Sequence, residues 1–247
     1  MNNSQFRVLK KIKKKVKKEI NKSFINLRYL LQDKKFLLSK KFKNYHLGCG
    51  ELLVSNFLNI DMFSFGDYVP ALPLPKYLKK TPYFFAYDLE KGIPASLNSL
   101  DVIYHSHLLE HLDHNSGILF LQNCYECLRV GGVMRFALPD LKIWCDNYVA
   151  NNKIFFQTYK SQYDFGLEDS WKEYKSKGHV FSSMLYNWGH KMAYDFESLE
   201  DKLSKIGFKN INSANWGESN LIPSILELEP LQSDRKFESL VIECKKK

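Results

Sequence analysis

The sequence predicts an α/β chain organised on a mostly parallel sheet, and three features carry that prediction. The stretch from Asn44 to Asp61, NYHLGCGELLVSNFLNID, reads as a buried strand, a glycine turn and a second apolar run ending in an acid. Short apolar runs recur at 84–87, 100–104 and 133–138, each bounded by turn residues. Amphipathic helical spacing falls among them, over 116–128 and 195–206. Strands that alternate with helices indicate βαβ units.

The glycine turn comes first because it bears on a ligand. Gly48 and Gly50 can take positive φ and let a ligand approach the backbone closely. Asp61 stands at the carboxyl end of the second strand, and open parallel sheets bind ligands outside those ends. A carboxylate there can accept hydrogen bonds from both hydroxyls of a ribose, which points to a nucleoside-containing ligand. The dinucleotide fingerprint G-x-G-x-x-G needs a third glycine, and Leu53 occupies its place. That argues against NAD or FAD and leaves open a cofactor without phosphates. A lone G-x-G also fits a tight turn after any strand.

LGCG followed by NID resembles motif I and the ribose acid of class I S-adenosylmethionine-dependent methyltransferases. The resemblance continues in the expected order. Tyr87-Asp88-Leu89 is similar to the segment whose acid contacts the adenine amino group. Leu100 to Leu112 resembles the fourth strand and the start of the helix after it. Leu128-Arg129-Val130-Gly131-Gly132 resembles the turn before the fifth strand, with Val130 where proline is usual. The resemblance implies a Rossmann-like, doubly wound, mostly parallel seven-stranded sheet with an antiparallel edge strand. It implies S-adenosyl-L-methionine as cofactor, with Gly48, Cys49, Gly50, Asp61, Asp88, Leu89, Ser106 and His107 binding it. One departure stands out: only ten residues separate Gly50 from Asp61. The first crossover helix must shrink to about a turn or give way to a loop. In that respect, and in the closing Glu238-Ser239-Leu240-Val241-Ile242-Glu243, the chain resembles a small branch found among bacterial surface-polysaccharide genes. That branch implies O-methylation of a surface-glycan sugar or its lipid- or nucleotide-linked precursor.

Composition narrows the alternatives. At 247 residues, 45% hydrophobic and 15% aromatic, the chain can bury a sizeable core. No apolar run is long enough to predict a membrane span. The N-terminus lacks the apolar region of a secretory signal. Five scattered cysteines make no disulfide framework and suit a reducing cytoplasm. The net charge of +9 is uneven: residues 1–43 carry +13 and the other 204 carry −4. The expected organisation is therefore a basic helical extension over 1–43 and a methyltransferase domain over 44–247. Phe6, Leu9, Ile12, Val16 and Ile20 share one helical face with lysines between them. Residues 1–22 suit an anionic membrane surface at its inner face; a solvated arm, or a helix packed on the domain or a twin subunit, fits the same pattern. No nucleic-acid partner is expected, since arginine is scarce and no stacking pattern appears.

Along the rest of the chain, prolines at 70, 73, 75 and 82 exclude regular structure from 62–82. That stretch reads as a lid-like loop or a surface wrap. In the 116–128 helix, Ile118, Leu121, Cys124, Tyr125 and Leu128 face inward. Cys124 and Cys127 form one C-x-x-C without a second pair, which reads as core packing. Residues 140–190 are rich in aromatic residues, as an acceptor-side insertion or a helical subdomain core would be. Asp195 caps a helix that runs to Ile206 and stops at Gly207, and 208–216 and 239–244 are the closing strands.

Four of the seven histidines lie between 105 and 114. His107-Leu108-Leu109-Glu110-His111 matches the H-x-x-E-H zinc pattern, which needs both histidines on one helix face. The preceding Leu100–Tyr104 is a strand, so His107 falls at a strand-to-helix junction and no metal is expected. A hydroxyl acceptor benefits from a general base, and histidine suits that role near neutral pH. His107 and His190 are the candidates, although either also fits a hydrogen-bonded structural histidine. The alternatives are a non-catalytic binding or scaffold module of the same fold, and a zinc hydrolase using His107, Glu110 and His111.

Overall fold

The computed structural model describes residues 42–62, 83–163 and 176–247. The expected basic helix within 1–22, nearly all of the 62–82 loop, and Phe165, Trp171 and Tyr174 lie outside the described residues. The strands are β1 (Asn44–Leu47), β2 (Leu58–Asp61), β3 (Tyr83–Ala86), β4 (Leu100–Ser106), β5 (Leu128–Pro139), β6 (Phe208–Ala214) and β7 (Ser239–Lys246). They form a seven-stranded sheet in the order β3-β2-β1-β4-β5-β7-β6. This is the Rossmann-like, mostly parallel α/β sheet that the sequence predicts. The closing strands make the antiparallel edge: β7 pairs antiparallel with β5, and the edge strand β6 pairs antiparallel with β7. By contacts the chain divides into two compact units, Met1–Pro94 and Ala95–Lys247, a division that falls inside the expected 44–247 domain.

In the first unit β1, β2 and β3 run parallel, with Leu47 beside Ile60 and Ile60 beside Phe85. Tyr45, Leu47, Leu58, Ile60, Phe84 and Phe85 are buried. Burying one such side chain fully stabilises the fold by about 1.5–3 kcal/mol. The connection from β1 to β2 contains turns and no helix, as its length requires: Leu52 N–H donates to the Cys49 carbonyl and Phe57 N–H to that of Val54. What holds a helix-free connection in place is Asn59. Its Nδ2 donates to the carbonyls of Val54, Phe57 and Tyr83, and its Oδ1 accepts from Val54 N–H at 2.9 Å. One buried amide thus ties the connection to β2 and β3.

In the second unit β4 and β5 run parallel around helix α1 (His114–Cys127). Asp113 caps α1 by accepting from Asn115 and Ser116 N–H. The inward face carries Phe120, Leu121, Cys124 and Cys127, while Ile118 and Tyr125 are only half buried. Both cysteines of the C-x-x-C are therefore core residues, and burial pushes the Cys127 thiol up to about 11. β5 starts five residues earlier than expected, because Leu128 already pairs with Leu100 before the register shifts. Gly132 is needed there: a Cβ would lie 2.9 Å from the Arg129 carbonyl and 3.0 Å from that of Leu100.

Helices α2 (Leu141–Val149), α3 (Lys153–Tyr163) and α4 (Lys177–Tyr186) form the insertion. Trp144 is its hub, packed edge-on against Phe155 and Tyr159 and stacked on Phe181. Most of the described aromatic excess is thus subdomain core, although Tyr186 and Trp188 are exposed. Helix α5 (Phe196–Ile206) matches its expected ends, with a capping box between Asp195 and Ser198. Gly207, at φ +120°, leaves room that a Cβ would take from the Tyr125 ring. Arg135 on β5 is fully buried. It is held by Glu229 at 2.7 and 2.8 Å, Glu243 at 3.2 Å and the Asn215 carbonyl.

Candidate functional site

The glycine turn of the first unit has the geometry expected of it. Gly48 and Gly50 take φ of +63° and +52°, where a side chain would be strained. The Gly50 N–H donates to Asp61 Oδ2 at 2.9 Å, so the acid at the end of β2 braces the turn at the end of β1. A carboxylate accepts about four hydrogen bonds, so this one does not exhaust its capacity. Cys49 departs from its expected role as far as its side chain goes. Its thiol packs with Phe84 and Ala86, and burial together with the Asp61 charge pushes its pKa well up. Only its backbone remains for a ligand. Asp88 caps the 3-10 turn Leu89–Lys91 by accepting from Glu90 N–H, and it lies 3.2 Å from Lys91 Nζ. The resemblance assigns Asp88 to the ligand, and the bonds it makes here are local.

The second unit gathers a histidine cluster. β4 carries His105 and Ser106 as its last residues, so the strand runs two residues beyond its expected end. His105 is core: it stacks on Phe136 with centroids 4.7 Å apart. His107 follows in the left-handed region, at φ +52°, a conformation that costs about 1–3 kcal/mol for such a residue. Its N–H donates to the Ala137 carbonyl. Its Nε2 lies 2.8 Å from Ser239 Oγ, and that hydroxyl donates to the Arg235 carbonyl. A carbonyl only accepts, so the serine proton goes to Arg235 and the serine oxygen takes the proton of Nε2. His107 Nδ1 lies 3.3 Å from Glu110 Oε1. With Nε2–H given to Ser239, the lone pair of the neutral ring is on Nδ1, which faces Glu110 Oε1. Burial pushes the His107 pKa down, against the pull of Glu110.

Glu110 sits in the 3-10 turn Leu109–His111 and is 1% exposed. Burial pushes its pKa up, but His107 and His111 beside it outweigh burial and hold the carboxyl below its ordinary range. Its backbone carbonyl accepts from Lys191 and Met192 N–H, which fastens the segment after α4 to this turn. That fastening brings His190 to the cluster. Its ring lies edge-on to His111 with centroids 4.8 Å apart. His190 Nδ1 bonds the Met184 carbonyl, so Nδ1 carries the proton and Nε2 bears the lone pair of the neutral ring. Burial lowers the His190 pKa. Glu110, His111 and His190 place one ligand atom each within 4.8 Å of one another. A cavity of about 250 Å³ adjoins them, lined also by Tyr159, Trp188, Arg235 and Glu238.

The H-x-x-E-H reading lacks its helix. His107 is the left-handed residue after β4, His111 ends a 3-10 turn, and α1 begins only at His114. His107 and His111 share no helix face. Arg235 and Glu238 had no signal in the sequence. Arg235 reaches the Ser106 carbonyl from 129 residues away, and no short motif spans that distance.

No family model matches the chain, and no curated protein matches it. Some solved structures resemble the chain. A SAM-dependent methyltransferase from Archaeoglobus fulgidus is 14% identical over 87% of this chain and 95% of its own, with a TM-score of 0.44. A SAM-dependent methyltransferase from Thermotoga maritima, described as a possible histamine N-methyltransferase, is 13% identical over 90% and 91%, with a TM-score of 0.46. Phosphoethanolamine N-methyltransferase 2 of Haemonchus contortus, in complex with S-adenosyl-L-methionine, is 12% identical over 86% and 52%, with a TM-score of 0.41. At these scores and identities the likeness carries no argument about ligand or reaction. Among the described residues, no helix is long and apolar enough to cross a membrane.

Proposed function

We propose that the protein is an S-adenosylmethionine-dependent methyltransferase. The observation that carries this reading is the brace between Gly50 N–H and Asp61 Oδ2 at the carboxyl ends of β1 and β2, with both glycines left-handed. In this reading Asp61 receives the ribose hydroxyls, and Gly48, Cys49 and Gly50 offer backbone to the rest of the cofactor. Asp88, Leu89, Ser106 and His107 complete its binding set. The acceptor oxygen displaces the methyl carbon in line: an O–CH3 bond forms, the S–CH3 bond breaks, and S-adenosylhomocysteine leaves. Positioning supplies much of the acceleration, and the acceptor proton passes to a base. Of the two histidine candidates His190 is favoured, since its Nε2 bears the lone pair, whereas the lone pair of His107 is on Nδ1 and turned to the Glu110 carboxylate.

The proposed acceptor is a sugar hydroxyl of a surface glycan or its precursor. Its support is the sequence resemblance, together with the aromatic faces of Tyr159 and Trp188 on the cavity wall. The proposed place of action is the cytoplasm, with residues 1–22 touching the inner face of the membrane.

Thermal melting of the natural chain and of Asp61→Ala, with S-adenosylmethionine, S-adenosylhomocysteine and NAD, tests the cofactor. Ligand at about 100 times its dissociation constant adds about 2.7 kcal/mol, or roughly 5–10 °C at this size. Both S-adenosyl compounds should raise the melting temperature in the natural chain only, and NAD should not. No rise with either at millimolar concentration would sink the reading.

A further inference from the structure

We infer that Glu110, His111 and His190 form a binding site for one divalent transition-metal ion of the zinc class. The inference does not rest on the cofactor reading, but it gives His190 Nε2 to the ion, so in the metal-bound chain that nitrogen is not the base of the methyl-transfer reading. It also differs from the zinc pattern read in the sequence, because His190 replaces His107.

The ligand set comes first. Two imidazoles and a carboxylate suit zinc and its neighbours better than magnesium or calcium, which prefer all-oxygen sites. Geometry comes next. Ligand atoms on a tetrahedral ion at about 2.1 Å stand roughly 3.4 Å apart. The three here lie within 4.8 Å of one another, so an ion would have to draw them somewhat closer. His190 is already oriented to ligate, because Nδ1–H is committed to the Met184 carbonyl and Nε2 is left as the available donor. Metal-binding histidines are usually fixed by such an outer hydrogen bond. The Glu110 carbonyl holds Lys191 N–H at 2.8 Å, so the spacing between Glu110 and His190 is set by backbone.

Charge supplies the independent observation. Glu110 is buried, its Oε1 faces His107, and its Oε2 has no hydrogen-bond partner among the described residues. Burial works against the charge of this carboxylate, and its oxygens still have bonding capacity unused. A cation against it takes up that capacity. Arg235 on the cavity wall opposes a cation and Glu238 favours one. Three protein ligands leave at least one coordination position, and the adjoining cavity has room for a water or an acceptor hydroxyl to take it.

The test uses the full chain, stripped with chelator and dialysed, then titrated calorimetrically with Zn2+ and separately with Mg2+. Loading with Co2+ gives a visible absorption band that reports ligation. One Zn2+ per chain should bind, with Mg2+ much weaker. His190→Gln and His111→Gln should each weaken Zn2+ by at least about tenfold and shift the Co2+ band, while Cys145→Ser should change nothing. Melting of the stripped variants checks that they fold; if one does not, the other carries the comparison. Absence of stoichiometric Zn2+ binding would overturn the site, as would affinity unchanged in a folded His190→Gln or His111→Gln chain.

Discussion

Asn59 in the first unit and Glu110 in the second are sealed to the same degree, at 0% and 1% exposure. The amide of Asn59 is used up: its nitrogen serves three carbonyls and its oxygen serves Val54 N–H and faces His46 Nδ1 at 3.2 Å. The carboxylate of Glu110 is used in part, with His107 at one oxygen and no hydrogen bond to the other. Low dielectric makes both situations expensive to disturb, but for opposite reasons. A saturated buried group is architecture, because removing it orphans its partners. An unsaturated one keeps bonding capacity in reserve, which a folded chain tolerates where a ligand completes it. Local backbone strain agrees with that division: the residue that meets Glu110 is the left-handed His107.

The largest effect that sharpens this contrast belongs to Asn59→Ala. It removes the acceptor of Val54 N–H and the amide donor shared by the Val54, Phe57 and Tyr83 carbonyls, and a buried polar group left unpaired costs about 1–3 kcal/mol. Urea unfolding should show a loss of about 3 kcal/mol, and a loss under about 1 kcal/mol would break the comparison. Asp195 provides a smaller, saturated case. Asp195→Ala removes the α5 capping box and should cost about 1 kcal/mol at pH 7. Hydrogen bonds from Ser198 hold the folded pKa of Asp195 below its ordinary value. A depressed carboxyl pKa gives stability that is full above the unfolded value and is lost as pH falls through the folded one. The gap between the natural chain and Asp195→Ala should therefore narrow below about pH 4. Glu110→Gln should have the smallest effect on unfolding, a loss under about 1 kcal/mol at pH 7, since its burial offsets in large part the pull of His107 and His111 that depresses its pKa. A loss like that of Asn59→Ala would class Glu110 as architecture.

How much was legible from sequence follows the range of each interaction. Helix α5 matches from Asp195 to Gly207 because its signals are its own cap and its own terminating glycine. The glycine turn was legible too, since Gly48, Gly50 and Asp61 lie within one short stretch, and the positive φ of both glycines follows. The start of β5 reads as a turn because Gly132 answers to the Leu100 carbonyl, a contact far away in sequence. The inward face of α1 is turned slightly from its expected setting: Tyr125 is drawn aside to meet Phe208 and Gly207, which no local period reveals. The pairing of Glu110 with His190 depends on backbone bonds from Lys191 and Met192, so composition near either residue was silent about it.

The helix-free connection from β1 to β2 has an electrostatic consequence. Where a nucleotide fold follows its glycine turn with a helix, the macrodipole presents about half a positive charge to the ligand and seats a pyrophosphate. Residues 48–57 form turns only, so no such field stands at the end of β1. What stands there is Asp61, bound to Gly50 N–H. A carboxylate at that place disfavours a pyrophosphate beside it. A ligand carrying positive charge near its reactive atom, as a sulfonium does, meets attraction in the same place.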